Sequence, residues 1–488
     1  MLDSVVVALY FAFMLFLGWR SRRQDAQSYW VAKRSYSTPR IAMSLVATVF
    51  GASSTMGIIG MGYQRGLTAA WWALIGGMAL IPCAFFLAER IRRQKAMTLP
   101  DILREAYGDR VSVLAGIMIA IAWCGVIAAQ IIAGGRLISG FFGMDMGLAI
   151  AGVAVVFTIY TFWGGQLSVI KTDFWQLFLF IGGLIVALGF LWSGGNSFQL
   201  GAGGLPEGHL DFPVTKTFGW YEVMIFYPLI VGFPYLVGPD IYSRIFCAKD
   251  GLTARKAVFA SALVIVPIAF LLAFFGVMAR AALPGIAPEA ALPQAISSFV
   301  PVGLKGIILA GFLAAVMSSA DTCLISASTI ISLNVVRPFK DLGEEGHYRI
   351  TRVLVLVLGV ISWLIASRQA GIIASLLLAY SVFVGGVVFP TLCALFKDRI
   401  RVSSTAALFS VIAGGGLALL GKFEGGIIVK IFITEHGQAL LQSTFGPQYL
   451  AILPLIVSAA ILGGRPLLLQ ISNRSQKKHT GIENNLSF

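Results

Sequence analysis

The sequence predicts an all-α, polytopic membrane protein of about thirteen transmembrane helices, arranged as a five-plus-five inverted repeat. Three observations carry this. The 488 residues are 58% apolar and only 12% charged, with a mean hydropathy of +0.85, far too greasy for a soluble chain of this length. Apolar runs long enough to cross a bilayer recur along the chain, separated by short polar segments. The net charge of +14 sits in those segments and not on one face, which is the positive-inside pattern and argues against nucleic-acid binding.

The first helix, about 4–19, has no basic residue before it and Arg20, Arg22 and Arg23 after it. It reads as an uncleaved span with its N-terminus outside, not as a secretory signal. The second, about 40–63, is interrupted by Gly51, Gly57, Gly60 and Gly62. Helices three to six take about 70–88, 111–139, 147–163 and 170–192. The seventh, about 221–237, is interrupted around Gly232, Pro234, Gly238 and Pro239. Helices eight to thirteen follow at about 255–280, 303–332, 350–368, 371–396, 403–421 and 448–463.

This division puts most of the 36 Lys and Arg on the cytoplasmic side and makes 193–220, 281–302 and 422–447 outside loops. Residues 1–470 form one transporter domain, and 471–488 form a polar cytoplasmic tail too short for a sensor's output domain. Pro and Gly free backbone carbonyls and amides within the membrane. Two units, about 40–192 and 221–397, each open with an interrupted helix, entered from opposite sides. Their shared breaks are the expected binding site.

The ninth helix carries the polar stretch Gly311 to Thr322. At helical spacing Ala315, Ser318, Ser319 and Thr322 share one face. A carboxylate such as Asp321 in mid-span costs about 2.5–3.5 kcal/mol on insertion scales, so it must turn to a partner, water or an ion. A second acid, Asp173, opens the sixth helix beside Thr172 and Gln176. This all-oxygen set suits Na⁺ and not a transition metal, which takes nitrogen or sulfur ligands.

Structural alternatives stand beside each assignment. The hydroxyls can back-bond to their own helix, Asp173 can cap a helix start, and Asp321 can make a buried hydrogen bond. Gln130 either bonds between helices or touches solute. Tyr235, in the seventh-helix break, either closes over a solute or packs. Trp71, Trp72, Trp175 and Trp220 read as an interfacial belt.

Cys83, Cys124, Cys247, Cys323 and Cys393 are spaced singly, and His209, His347, His436 and His479 are expected in loops or the tail. Zinc and histidine relays are thereby excluded. No nucleophile, base and orienter set supports an enzyme.

Together and in order, several motifs resemble the sodium/solute symporter family, which includes proline, pantothenate, sialic acid and sugar symporters. They are Tyr29 to Ser35, Thr98-Leu-Pro-Asp-Ile-Leu103 with Tyr107-Gly108, Gly134-Gly-Arg-Leu137, and Gly164-Gly with Thr172, Asp173 and Gln176. Gly238-Pro-Asp-Ile-Tyr-Ser-Arg244 with Ala248-Lys-Asp250, and Leu313 to Asp321, are the most specific. The resemblance implies a leucine-transporter-type fold with one added N-terminal helix and sodium-driven alternating access.

It further implies a main sodium site at Ala52, Thr55, Ala315, Ser318 and Ser319, and a second one at Asp173, Ser318, Ser319 and Thr322. Ser53, Ser54, Gly57, Gln130 and Tyr235 correspond to solute or gate positions, with Asp321 and Arg244 in structural or coupling roles. Two departures stand out: Lys33 replaces a common Gly, and Ser53-Ser-Thr55 lacks the acid that proline carriers place there.

The expected function is Na⁺-coupled import of a small organic solute across the cell (inner) membrane, with no obligate protein partner. Asn196, Asn334, Asn473, Asn484 and Asn485 all lie in loops, at a helix end or in the tail, which disfavours polyols. Helix-break amides favour a carboxylate, hence an amino acid or other organic acid. Proton-coupled symport is the alternative, with a channel or membrane sensor behind it.

Overall fold

A computed structural model describes residues 2–194, 205–368, 371–421 and 451–463. The first half runs α1 (Leu2–Arg20), α2 (Ala26–Val31), α3 (Thr38–Val49), α4 (Ile58–Arg65), α5 (Trp71–Pro82), α6 (Ala88–Arg93), α7 (Leu99–Tyr107), α8 (Asp109–Phe142) and α9 (Met146–Gly194). The second runs α10 (Phe233–Val237), α11 (Pro239–Cys247), α12 (Gly251–Ala282), α13 (Ala291–Phe299), α14 (Leu304–Ile330), α15 (Gly343–Ala366), α16 (Ile372–Phe383), α17 (Phe389–Leu395) and α18 (Ser404–Leu420). A last apolar helix, α19, is Ala451–Gly463. Among the described residues extended pairing is limited to two isolated bridges, Tyr36 with Ala248 and Thr215 with Phe218.

Among the described residues nine helical runs are long and apolar enough to cross a bilayer, with α18 and α19 shorter. Two of the nine, Ser53–Arg93 and Met146–Ser193, each hold two expected spans, so the count of thirteen depends on how those runs are divided. The fifth and sixth spans are not separated by a loop. They form α9, kinked at Gly165, whose φ of +57° and contact with the Tyr29 ring leave no room for a Cβ.

Both interrupted helices are present. α3 stops at Phe50 (φ −84°, ψ 55°), and the chain resumes through a wide π turn, Ser53–Gly57, into α4. α10 stops at Gly238 (ψ 137°), and α11 restarts at Pro239, which has no N–H to satisfy. The seventh helix therefore continues to Cys247 beyond its break, well past the expected end at 237.

Three short helices lie where loops were expected: α2, α7 and α13, the last inside the segment 281–302. α7 starts with a reciprocal capping box between Thr98 and Asp101, with a Pro in its first turn. That Thr-Leu-Pro-Asp spacing is a helix signal legible in the sequence.

Burial sorts the helices. In the most apolar 18-residue stretch of Leu304–Val336, α14 with its π extension, 94% of the residues are buried, against 17% in that of α1, so α14 is the axis and α1 an outer, lipid-facing helix. Asp3 of α1 accepts from the amides of Gly303 and Gly306 (2.9 and 2.7 Å), occupying donors at the N-terminus of α14.

Two placements differ from expectation. His347 is not in a loop but buried near the start of α15, where its carbonyl accepts from Ser332 Oγ (2.9 Å). Trp72 is buried edge-on against Tyr227, whereas Trp175 and Trp220 are exposed as interfacial residues are. His436, His479, the segment 422–447 and the tail 471–488 lie outside the described residues.

Candidate ion and solute site

The polar stripe of α14 divides between two neighbours. Ser318 Oγ donates to Asp173 Oδ1 (2.6 Å), while Ser319 Oγ donates to the carbonyl of Thr48 (2.6 Å), at the end of α3. One helix thus serves two distinct oxygen clusters.

The first cluster surrounds Asp173. This residue is not at a helix start; it lies inside α9, past the Gly165 kink, and is fully buried. Arg244 of α11, also fully buried, pairs with its Oδ2 at 3.2 Å and donates to Thr322 Oγ1. Ser44 of α3 donates to the same Oδ2. Thr322 Oγ1 also donates back to the Ser318 carbonyl (2.8 Å), as helix hydroxyls do. Of the four residues expected to hold a second sodium, Asp173, Ser318 and Thr322 are gathered here with a guanidinium among them, and Ser319 bonds instead to Thr48. A buried carboxylate needs a counter-charge, and Arg244 provides it.

The second cluster is the break between α3 and α4. Thr55 Oγ1 donates to the Gly51 carbonyl (2.7 Å) and lies 3.5 Å from the Ala52 carbonyl. Gln130, from mid-α8, accepts from the Ala52 amide (2.7 Å). A Cβ on Gly51 would fall 2.5 Å from Ser319 Oγ and 2.7 Å from Gln130 Oε1, so only glycine lets α3, α8 and α14 meet here. Ala315 is buried on α14 one turn before Ser319. No basic side chain reaches this cluster among the described residues.

Beside it lies a cavity of about 30 Å³, bounded by Ser53, Gln130, Ser319 and Tyr235. Trp123, Asp240 and Tyr380 complete its wall. Room for roughly one water means the helices have closed onto the site. Ser54 and Tyr235 hydroxyls meet at 3.2 Å, joining the two helix breaks. Gly57 lies away from this cavity: a Cβ there would meet Ile373 of α16 at 2.8 Å, and both line a larger cavity of about 540 Å³ with Arg65 and Glu289. Asp321 faces neither cluster's bonding oxygens. Its Oδ1 accepts from Thr161 (2.7 Å), and its buried Oδ2 has no hydrogen-bond partner among the described residues.

Sequence reasoning passed over Ser44, Thr48, Trp123, Asp240 and Tyr380 as site residues. Ser44 and Thr48 stand one helical turn apart just before the first break, and Asp240 directly follows the Gly-Pro of the second. Position relative to the breaks was the available signal.

The family model for the sodium:solute symporter family matches residues 29–414, most of the chain. The chain belongs to the sodium:solute symporter family. Within this family it is 24% identical over 471 residues to the sodium/glucose cotransporter of Vibrio parahaemolyticus, covering 86% of this chain and 85% of that one. It is 28% identical over 433 residues to the sodium/pantothenate symporter of Escherichia coli (strain K12), covering 82% and 85%. A solved Na⁺-coupled sialic acid symporter, in a substrate-bound outward-open state, superposes with a TM-score of 0.73 at 19% identity over 94% of this chain and 98% of that one. This symporter is thus a multi-pass transporter of the leucine-transporter-type fold, not an enzyme, and Na⁺ is its coupling ion.

Proposed function

We propose that this symporter imports a small organic solute, drawn from amino acids and other organic acids, with one Na⁺ bound between the α3–α4 break and α14. The carrying observation is the contrast in cation supply. Asp173 already has the Arg244 guanidinium at 3.2 Å, whereas the Ala52–Thr55–Ser319 cluster gathers carbonyl and hydroxyl oxygens with no protein cation. Hard oxygen ligands without a counter-cation favour Na⁺.

Ala52, Thr55, Ala315 and Ser319 supply the sodium ligands, while Ser318, of the same expected set, is committed to Asp173. Ser53, Ser54, Gln130 and Tyr235 face the solute or its gate, and Gly57 lets α16 approach. Arg244 takes the place of a second Na⁺ among Asp173, Ser318 and Thr322. Asp321 positions α9 through Thr161. Na⁺ binding draws the break against α14 and shapes the adjoining cavity, so ion and solute affinities rise together.

The two units, about 40–192 and 221–397, rock about the breaks, with the N-terminus outside and the C-terminus in the cytoplasm of a cell membrane. The larger cavity at the far end of α4 is then the outer vestibule. The inside-negative potential, about 2.3 kcal/mol per charge per 100 mV, drives the ion inward.

The test is thermal unfolding of the purified protein with Na⁺ or K⁺, wild type beside the Ser318→Ala/Ser319→Ala double variant. Stabilisation by Na⁺ alone, lost in the double variant, is expected. Stabilisation by acid in place of Na⁺ would move the reading to proton coupling through Asp173.

A further inference from the structure

We infer that the solute carries an ammonium group, recognised by Asp240 with the rings of Trp123, Tyr235 and Tyr380. This rests on the symport reading and narrows its solute class.

The first ground is placement. Asp240 is the second residue of α11, directly after the Gly238 break, and it lines the same cavity as Gln130, Ser53 and Ser319. Asp240 is the acidic residue of the first turn of α11. The helix end that would otherwise seat a solute carboxylate therefore holds the protein's own acid. A plain organic acid brought there would meet like charge.

The second ground is charge balance. Among the described residues Arg244 is the one buried Lys or Arg, and its ion pair goes to Asp173. Asp240 and Asp321 have no salt-bridge partner there. Asp240, the acid that lines the cavity, therefore has no protein cation paired with it. Closing the helices over an unpaired charge is costly. A neutral polyol leaves that charge uncompensated, and a cationic group removes it.

The third ground is the wall. Trp123, Tyr235 and Tyr380 line the same cavity as Asp240, and aromatic faces attract an ammonium through the ring quadrupoles. The hydroxyls of Ser53 and Tyr380 have no hydrogen bond to the protein among the described residues, so polar groups remain for the rest of the solute.

The experiment is the same unfolding assay, with Na⁺ at saturation and ethanolamine, choline, alanine, glucose or lactate added singly to wild type, Asp240→Asn and Asp240→Glu. The expected result is stabilisation by at least one amine-bearing probe and by neither glucose nor lactate. The apparent affinity for that probe should fall at least tenfold in Asp240→Asn and recover in part in Asp240→Glu, while the shift due to Na⁺ alone persists in both. Absence of any shift with the amine-bearing probes, preference for glucose or lactate, or an unchanged affinity in Asp240→Asn overturns the inference. Loss of the Na⁺ shift in wild type, with the Asp240-dependent amine shift intact, overturns the sodium reading and leaves this one standing.

Discussion

The two neighbours of α14 hold similar oxygens and differ in one respect. Toward α9, Asp173, Ser318 and Thr322 enclose the Arg244 guanidinium. Toward the α3–α4 break, Ser319, Thr55 and freed carbonyls gather with no basic side chain. Adjacent serines, 318 and 319, fall on opposite sides of this difference. A hydroxyl stripe read from helical spacing thus divides in two: a covalently tethered cation stands in one half, and the other half is the one we propose for the mobile ion.

The variant that breaks this contrast most severely is Arg244→Met. It leaves Asp173 buried without its counter-charge, and we expect a loss of about 3–5 kcal/mol in stability, read by denaturant unfolding. Added Na⁺ should restore part of that loss by entering the vacated oxygens, an effect absent in a variant that also carries Asp173→Asn. An unchanged stability would mean the ion pair has no structural role.

Next is the comparison of neighbouring serines. Ser319→Ala should weaken Na⁺ binding tenfold or more, about 1.4 kcal/mol, in a Na⁺ titration of unfolding temperature. Ser318→Ala should instead lower stability by about 1–3 kcal/mol through its lost bond to a buried carboxylate, and move Na⁺ affinity less. Equal effects on Na⁺ affinity would merge the two clusters into one.

A smaller effect is expected at the gate. Tyr235→Phe removes the 3.2 Å bond to Ser54 and should cost about 0.5–1.5 kcal/mol while speeding exchange of solute, measured by counterflow in proteoliposomes. Smallest is Lys33→Ala, which breaks an exposed ion pair with Asp25 (3.2 Å) far from either cluster. It should leave the unfolding temperature indistinguishable from wild type.

Much of this was legible in the chain. Hydropathy located the helices, because burial in lipid imposes one composition on any span, and glycine and proline marked both breaks. The Gly165 kink was hidden because a single positive-φ glycine bends α9 without a polar loop. α2 and α13 were hidden because short helices carry no membrane-length signal, whereas α7 carried one local signal, its Thr98–Asp101 capping box. Ser318, Ser319 and Asp173 were legible as polar atoms in apolar surroundings. Their separation was not, because it depends on Arg244, which lies 71 positions beyond Asp173 and reaches it only through the fold. Asp240 was similarly masked, its cavity being built from α3, α8, α11, α14 and α16 together.

The most direct test is saturation binding of radiolabelled Na⁺ to the purified protein, wild type beside Ser319→Ala and Asp173→Asn. One Na⁺ per chain, with affinity lowered tenfold or more in Ser319→Ala and retained in Asp173→Asn, is the predicted result. Two ions per chain, or an affinity unchanged in Ser319→Ala and lost in Asp173→Asn, would contradict it.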